Sequence, residues 1–289
     1  MRQFVNDTIT IILFIAIICG SIYCYGIDYT QPTNNLYKQH YIEQHGKEIS
    51  TLLLGHSQAA HGINPWNLGD SVFNMADPSR IPYYDKEILL RNIQYLPNLR
   101  TVIYPLLYHL SPWKCYYSPE SCEQLVNEYI HSMGINPPRE FICQPFETTL
   151  RRLFSFKNYI NKIDCDSLGY ISLGDIFNDG LDFLVVPEEE DSIIDILCNI
   201  GETCKEHGIR FIIISTPCNN TFNTQTVDSI GLNRISRIID SVRNKYPVEY
   251  YDYLNHPDFR NDSLYYGQTH LNHKGATLFA QRIKEDIGL

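Results

Sequence analysis

Thr51-Leu52-Leu53-Leu54-Gly55-His56-Ser57-Gln58-Ala59-Ala60 is the stretch that decides the fold. The apolar run Thr51 to Leu54 predicts a buried strand, and it stops at a glycine. Ser57 follows two residues later, then small residues that suit a helix. Strand, tight turn and helix start place a side chain at the carboxyl end of a strand, where open α/β sheets bind ligands. A serine there has an exposed hydroxyl, and its own N–H lies near a helix N-terminus, in place to stabilise an oxyanion. An ordinary βα loop with a capping serine would show the same local pattern.

Outward from this stretch the order continues as strand, helix, strand. Ser71 to Ala76 predicts a second short strand, Tyr83 to Tyr95 a helix ended by Pro97, and Thr101 to Tyr104 a third strand. Periodicity returns at Asp191. The run to His207 has Ile193, Ile194, Leu197 and Ile200 on one face, acidic residues at its start and Gly208 as its stop. Arg210 to Ser215 predicts a fully buried strand, Gln225 to Tyr246 a helix, Val248 to Asp252 a last strand and Lys274 to Ile287 a last helix capped by Asn272. The alternation predicts a three-layer α/β/α domain over residues 50–289 with a mostly parallel sheet. Between Ser111 and Pro187 the pattern weakens and prolines punctuate it. Residues 111–187 are expected to be an irregular or helical insertion that shapes the substrate groove, with helices over Gln124–Met133 and Phe146–Ile163.

No residue between Asp7 and Asp28 is charged, and the run is rich in isoleucine. At 1.5 Å per residue it spans about 30 Å, the thickness of a bilayer core. Residues 1–28 are expected to be a single-pass anchor with the C-terminal domain outside the cytoplasmic membrane, since Arg2 precedes the run. A cleaved signal peptide is the alternative, but Gly20-Ser21-Ile22 matches a cleavage site poorly. Residues 29–49 are polar and are expected to be a linker.

A hydrophobic content of 44% over 289 residues fits a globular core, and a formal charge of −10 argues against nucleic acid as a partner. Of nine cysteines, Cys19 and Cys24 lie in the apolar segment. The remaining seven have no metal-ligand spacing, so no metal or other cofactor is expected. Cys115 and Cys122 form the readiest disulfide pair, with free thiols as the alternative. The 21 tyrosines suit a carbohydrate surface and equally an ordinary core.

The far end of the chain holds Tyr265-Tyr266-Gly267-Gln268-Thr269-His270-Leu271-Asn272. Together with Gly55-His56-Ser57-Gln58, Gly62-Ile63-Asn64-Pro65 and Phe73-Asn74-Met75-Ala76, it resembles the SGNH/GDSL hydrolase superfamily, and more closely its membrane-anchored bacterial envelope branch. The likeness spans roughly residues 50–110 and 205–289. It implies a flavodoxin-like sheet and an acyl-enzyme mechanism, with Ser57 as nucleophile and His270 as base. The family's aspartate falls at Gly267, which carries no side chain, so Asp262 is expected to substitute, with Asp258 and Asp252 next. The oxyanion would be held by the Ser57 N–H and by Asn74, or Asn74 would be a neighbouring support. His56, His61, His273 and Lys274 are expected to be non-catalytic. The implied activity is an extracytoplasmic serine esterase or O-acyltransferase acting on acetyl or other acyl esters of a cell-envelope glycan. The alternative is a catalytically impaired accessory subunit that binds glycan or a membrane O-acyltransferase.

Overall fold

In a computed structural model, residues 8–21, 33–78, 80–107, 128–130, 132–137, 163–174, 190–219 and 229–289 are described. Among the described residues, a parallel sheet of five strands forms the centre, in the order β2-β1-β3-β4-β5. The strands are β1 Thr51–Leu53, β2 Val72–Asn74, β3 Thr101–Pro105, β4 Arg210–Ser215 and β5 Glu249–Asp252. The central strands β1 and β3 are buried throughout, which is why they read as unbroken apolar runs. Their side chains still alternate between two cores. Leu52, Val102, Tyr104, Phe211 and Ile213 enter one, while Leu53, Ile103, Ile212 and Ile214 enter the other.

The first core is covered by helices α5 Pro82–Asn92, α6 Glu190–Glu206 and α7 Ser229–Lys245. The second is covered by α3 Ser57–Gly62, α4 Pro65–Leu68 and α8 His273–Ile287. This is the expected α/β/α architecture, with every strand pairing parallel. Strand β4 has the expected ends, and the other helix and strand ends within the described residues differ from the sequence reading by at most three residues, as at Tyr83–Tyr95, where the last turn tightens into a 3-10 turn at Ile93–Tyr95; the start expected at Gln225 lies outside the described residues. The Asn272 side chain accepts the Gly275 N–H at 3.0 Å and caps α8 as expected.

The polar stretch 29–49 is corrected by the structure. Helix α2, Asn34–His45, occupies most of it, and Asn35, Lys38, Gln39 and Ile42 are buried. Its buried polar residues Asn35, Lys38 and Gln39 face partners inside the protein, so hydrophobic periodicity gave no sign of it.

Of the predicted insertion, only 128–130, 132–137 and 163–174 are described; the helix expected at Phe146–Ile163 lies almost wholly outside, as do Cys115 and Cys122. The segment 163–174 folds back onto the domain. Leu168 C=O accepts the Asn74 N–H at 2.8 Å, and the Ile171 N–H donates to Ala60 C=O at 3.1 Å. At the N-terminus, residues 8–21 are helical (α1), and Ile9, Ile11, Ile12, Phe14 and Ile17 are exposed. No helix among the described residues is long and apolar enough to cross a membrane, and the remainder of the expected span, 22–27, lies outside them.

Candidate active site

Gly55 makes the turn from β1 to α3. Its φ is +113°, in the region that favours glycine, and an added Cβ would stand 2.8 Å from Pro105 Cγ. His56 then caps α3, its Nδ1 accepting the Gln58 N–H at 3.3 Å. Ser57 is the first residue of the helix, so its N–H has no preceding helical carbonyl to bond.

His270 comes from the opposite end of the sequence, on the loop before α8. Tyr265 and Leu271 form an antiparallel bridge, and His270 C=O accepts the N–H groups of Tyr266 at 2.8 Å and Gly267 at 3.4 Å. This tight loop sets the ring so that His270 Nε2 lies 2.8 Å from Ser57 Oγ. The separation is that of a hydrogen bond and suits a serine with its general base. The Ser57 hydroxyl has a second acceptor, Gln58 Oε1, at 3.0 Å. When the hydroxyl donates to Nε2, the ring hydrogen sits on Nδ1, where Thr269 Oγ1 lies 3.2 Å away.

Four residues named from the sequence stand elsewhere. Asp262 opens an exposed 3-10 turn, Asp262–Leu264, and its carboxylate makes no hydrogen bond to the His270 ring. Asp258 faces His256 and Arg282, at 3.6 and 3.8 Å, and Asp252 accepts the Ser215 hydroxyl and the Leu254 N–H. The acid expected to orient His270 is therefore not Asp262 as this loop is folded. Asn74 is completely buried. Its Nδ2 donates to Ala59 C=O at 2.9 Å and Ile63 C=O at 3.1 Å, and its Oδ1 accepts the Ala76 N–H at 3.1 Å. With both amide hydrogens committed, Asn74 is not an oxyanion donor; it ties the end of α3 to the end of β2.

His61 lies one helical turn beyond Ser57, and its ring meets that of His270 edge to face, with centroids 5.9 Å apart. Its Nδ1 is 2.8 Å from Ile171 C=O, an acceptor only, so Nδ1 carries the hydrogen. Burial lowers the His61 pKa and favours the neutral ring. His56 serves as a cap. His273 is exposed, with Tyr170 Oη and Ser172 Oγ at 3.5 and 3.4 Å.

Sequence reasoning missed a buried charged cluster behind the turn. Asp85 Oδ1 accepts the Gly55 N–H at 3.0 Å, and Gly55 C=O accepts the Asp77 N–H at 3.1 Å. Arg80 Nη1 lies 3.5 Å from Asp85 Oδ1 and 2.5 Å from Met75 C=O; its Nε donates to Tyr129 Oη at 2.6 Å and its Nη2 to Asn35 Oδ1 at 2.5 Å. Lys38 donates to Ala76 C=O and lies 3.9 Å from Asp77 Oδ1. Asn35 Nδ2 is shared between Asp77 Oδ2 at 3.1 Å and Glu128 Oε1 at 3.0 Å. Burial pushes the Asp85 carboxyl up to about 6, against the pull of Arg80, and lowers the Lys38 ammonium to about 8. Asp77 and Arg80, three residues apart just past the carboxyl end of β2, were the available signal. Among the described residues no group of histidine, cysteine, aspartate and glutamate side chains is arranged to hold a metal ion.

No protein-family model matches the sequence, and no curated protein matches it. Among solved structures the chain is similar to a Bacteroides fragilis protein named for acylhydrolase activity, at 10% identity over 86% of this chain and 95% of that one, with a TM-score of 0.45. It is also similar to a Streptococcus pneumonia protein named as a platelet activating factor, at 9% identity over 88% of this chain and 91% of that one, with a TM-score of 0.48.

Proposed function

We propose that the protein is a serine ester hydrolase or acyltransferase that works through an acyl-enzyme. The observation that carries this reading is the 2.8 Å contact between Ser57 Oγ and His270 Nε2 at the carboxyl edge of a parallel sheet. His270 takes the proton as Ser57 Oγ attacks the ester carbonyl, then returns it to the leaving alcohol oxygen. A water or a sugar hydroxyl, deprotonated by the same ring, releases the acyl group. The Ser57 N–H is one donor to the oxyanion. The acyl group is small, with acetyl the first choice, and the acceptor or donor is an envelope glycan. These finer points, and anchorage by residues 8–27 with the domain outside the cytoplasmic membrane, rest on the resemblance of the two motif blocks and on the uncharged N-terminal run.

A second reading, an impaired accessory subunit that binds glycan or a membrane O-acyltransferase, is favoured by Gly267 at the family's acid position and by the exposed carboxylate of Asp262. Hydrolysis of a chromogenic acetyl ester separates the two. We expect measurable turnover by the parent protein and a loss on the order of 10³-fold or more in Ser57→Ala and in His270→Ala. An inert parent in which Gly267→Asp creates no activity would establish the accessory reading.

A further inference from the structure

Gly55 stands two residues before Ser57, and both of its backbone polar groups are held by acidic residues. Its N–H goes to the Asp85 side chain and its C=O to the Asp77 backbone. Asp85 lies in the first turn of α5, on the opposite side of the sheet from α3, so it grips the turn from behind. Asp85 is completely buried and Arg80 is 2% exposed. Arg80 extends the grip to Met75, to Asn35 on α2 and to Tyr129 in the 128–130 segment.

Burying charged groups costs desolvation that well-packed apolar side chains of similar volume would avoid. Stability alone therefore gives little reason for this cluster. What it supplies is direction, because a buried carboxylate that must be satisfied fixes the atoms that satisfy it. Here one of those atoms is the N–H of the peptide unit that leads into the nucleophile.

Resting on the reading of Ser57 as nucleophile, we propose that Asp85 is a positioning residue for Ser57, and that Arg80 ties this position to Tyr129 and so to the segment around residues 128–137. A nucleophile must approach the carbonyl at a fixed distance and angle, and small displacements cost large factors in rate. Asp85 touches no reacting atom. It sets the height of the Gly55 turn, and the turn sets Ser57 Oγ against His270.

The test uses the full-length protein in detergent, with Asp85→Ala, Asp85→Asn and Tyr129→Phe. Three quantities are read: the rate of covalent labelling of Ser57 by a fluorophosphonate, kcat and KM for a small ester, and amide hydrogen exchange in the peptide around residues 52–60, with the β4 peptide as reference. In Asp85→Ala we expect labelling and kcat to fall on the order of 10²-fold with KM held, and faster exchange in 52–60 alone. Asp85→Asn keeps an oxygen that accepts the Gly55 N–H and should stay close to the parent in both. Parental labelling and exchange in Asp85→Ala would overturn the proposal, as would a loss in Asp85→Asn equal to that in Asp85→Ala. If Asp85→Ala does not fold, Tyr129→Phe decides, since it removes only the hydroxyl that Arg80 binds. Slower labelling at an unchanged melting temperature supports the coupling, and parental labelling rejects it. If the parent itself takes no label, the hydrolase reading falls, and the exchange comparison alone decides whether Asp85 holds the turn.

Discussion

The meeting of Ser57 and His270 was legible because each stands in a short block of recognisable setting: a glycine turn after a strand, and a loop before a capped helix. Asn74 and Asp262 were not. A polar residue beside a motif has the same letters whether it faces the pocket or the backbone. Asn74 turned inward because the carbonyl groups of Ala59 and Ile63 and the N–H of Ala76 lie within its reach at one buried point. Gly55 offers a sharper residue-scale test. Its φ of +113° and the 2.8 Å approach to Pro105 leave no room for a methyl group. Gly55→Ala should destabilise the protein by about 1–3 kcal/mol and slow labelling of Ser57, as read by thermal melting and by fluorophosphonate rate. An unchanged melting temperature would mean that the turn tolerates another backbone path.

The strands were legible at the scale of elements because burial on both faces writes an apolar run, and α6 and α8 because one apolar face writes a 3.6-residue period. Helix α2 and the charged cluster were not, since their buried positions carry Asn35, Lys38, Arg80 and Asp85, which a hydrophobicity pattern scores as surface. These buried charges have a consequence for pH. The Asp85 carboxyl, raised from 3.8 to about 6, binds its proton more tightly in the folded than in the unfolded chain. Between these values the folded state holds more protons, so this group lowers stability as pH rises, and the penalty is complete above about 6. Glu128 is shifted the same way, chiefly by burial and then by Asp77. Asp85→Asn removes the titration. Its melting temperature relative to the parent should therefore rise between pH 4 and pH 7 and be flat above, as followed by circular dichroism. A difference independent of pH would show that Asp85 is not desolvated in solution.

For the whole molecule, the question is where the folded domain starts. The sequence placed that start near residue 50, after an anchor and a linker; the structure draws α2 into the body. Gln39 and Asn92 exchange amide hydrogen bonds at 2.9 and 3.1 Å, the Tyr41 ring stacks on Phe73 at 4.5 Å between centroids, and Ile42 is fully buried. Lys38 supplies a charge beside Asp77, and the Asn35 amide hydrogen-bonds both Asp77 and Arg80. A chain cut before residue 47 would leave Asp77 without its lysine and Arg80 without one of its acceptors, Asn35 Oδ1. Uncompensated buried charge of this kind costs about 3–5 kcal/mol, a large share of the roughly 5–15 kcal/mol that holds a domain together. A fragment beginning at residue 33 should therefore melt cooperatively, whereas one beginning at residue 47 should lose its cooperative transition and expose apolar surface to a dye. Matching melting curves for the two fragments would return α2 to the status of a linker. They would also weaken the case that the cluster behind Gly55 is anchored from three separate parts of the chain.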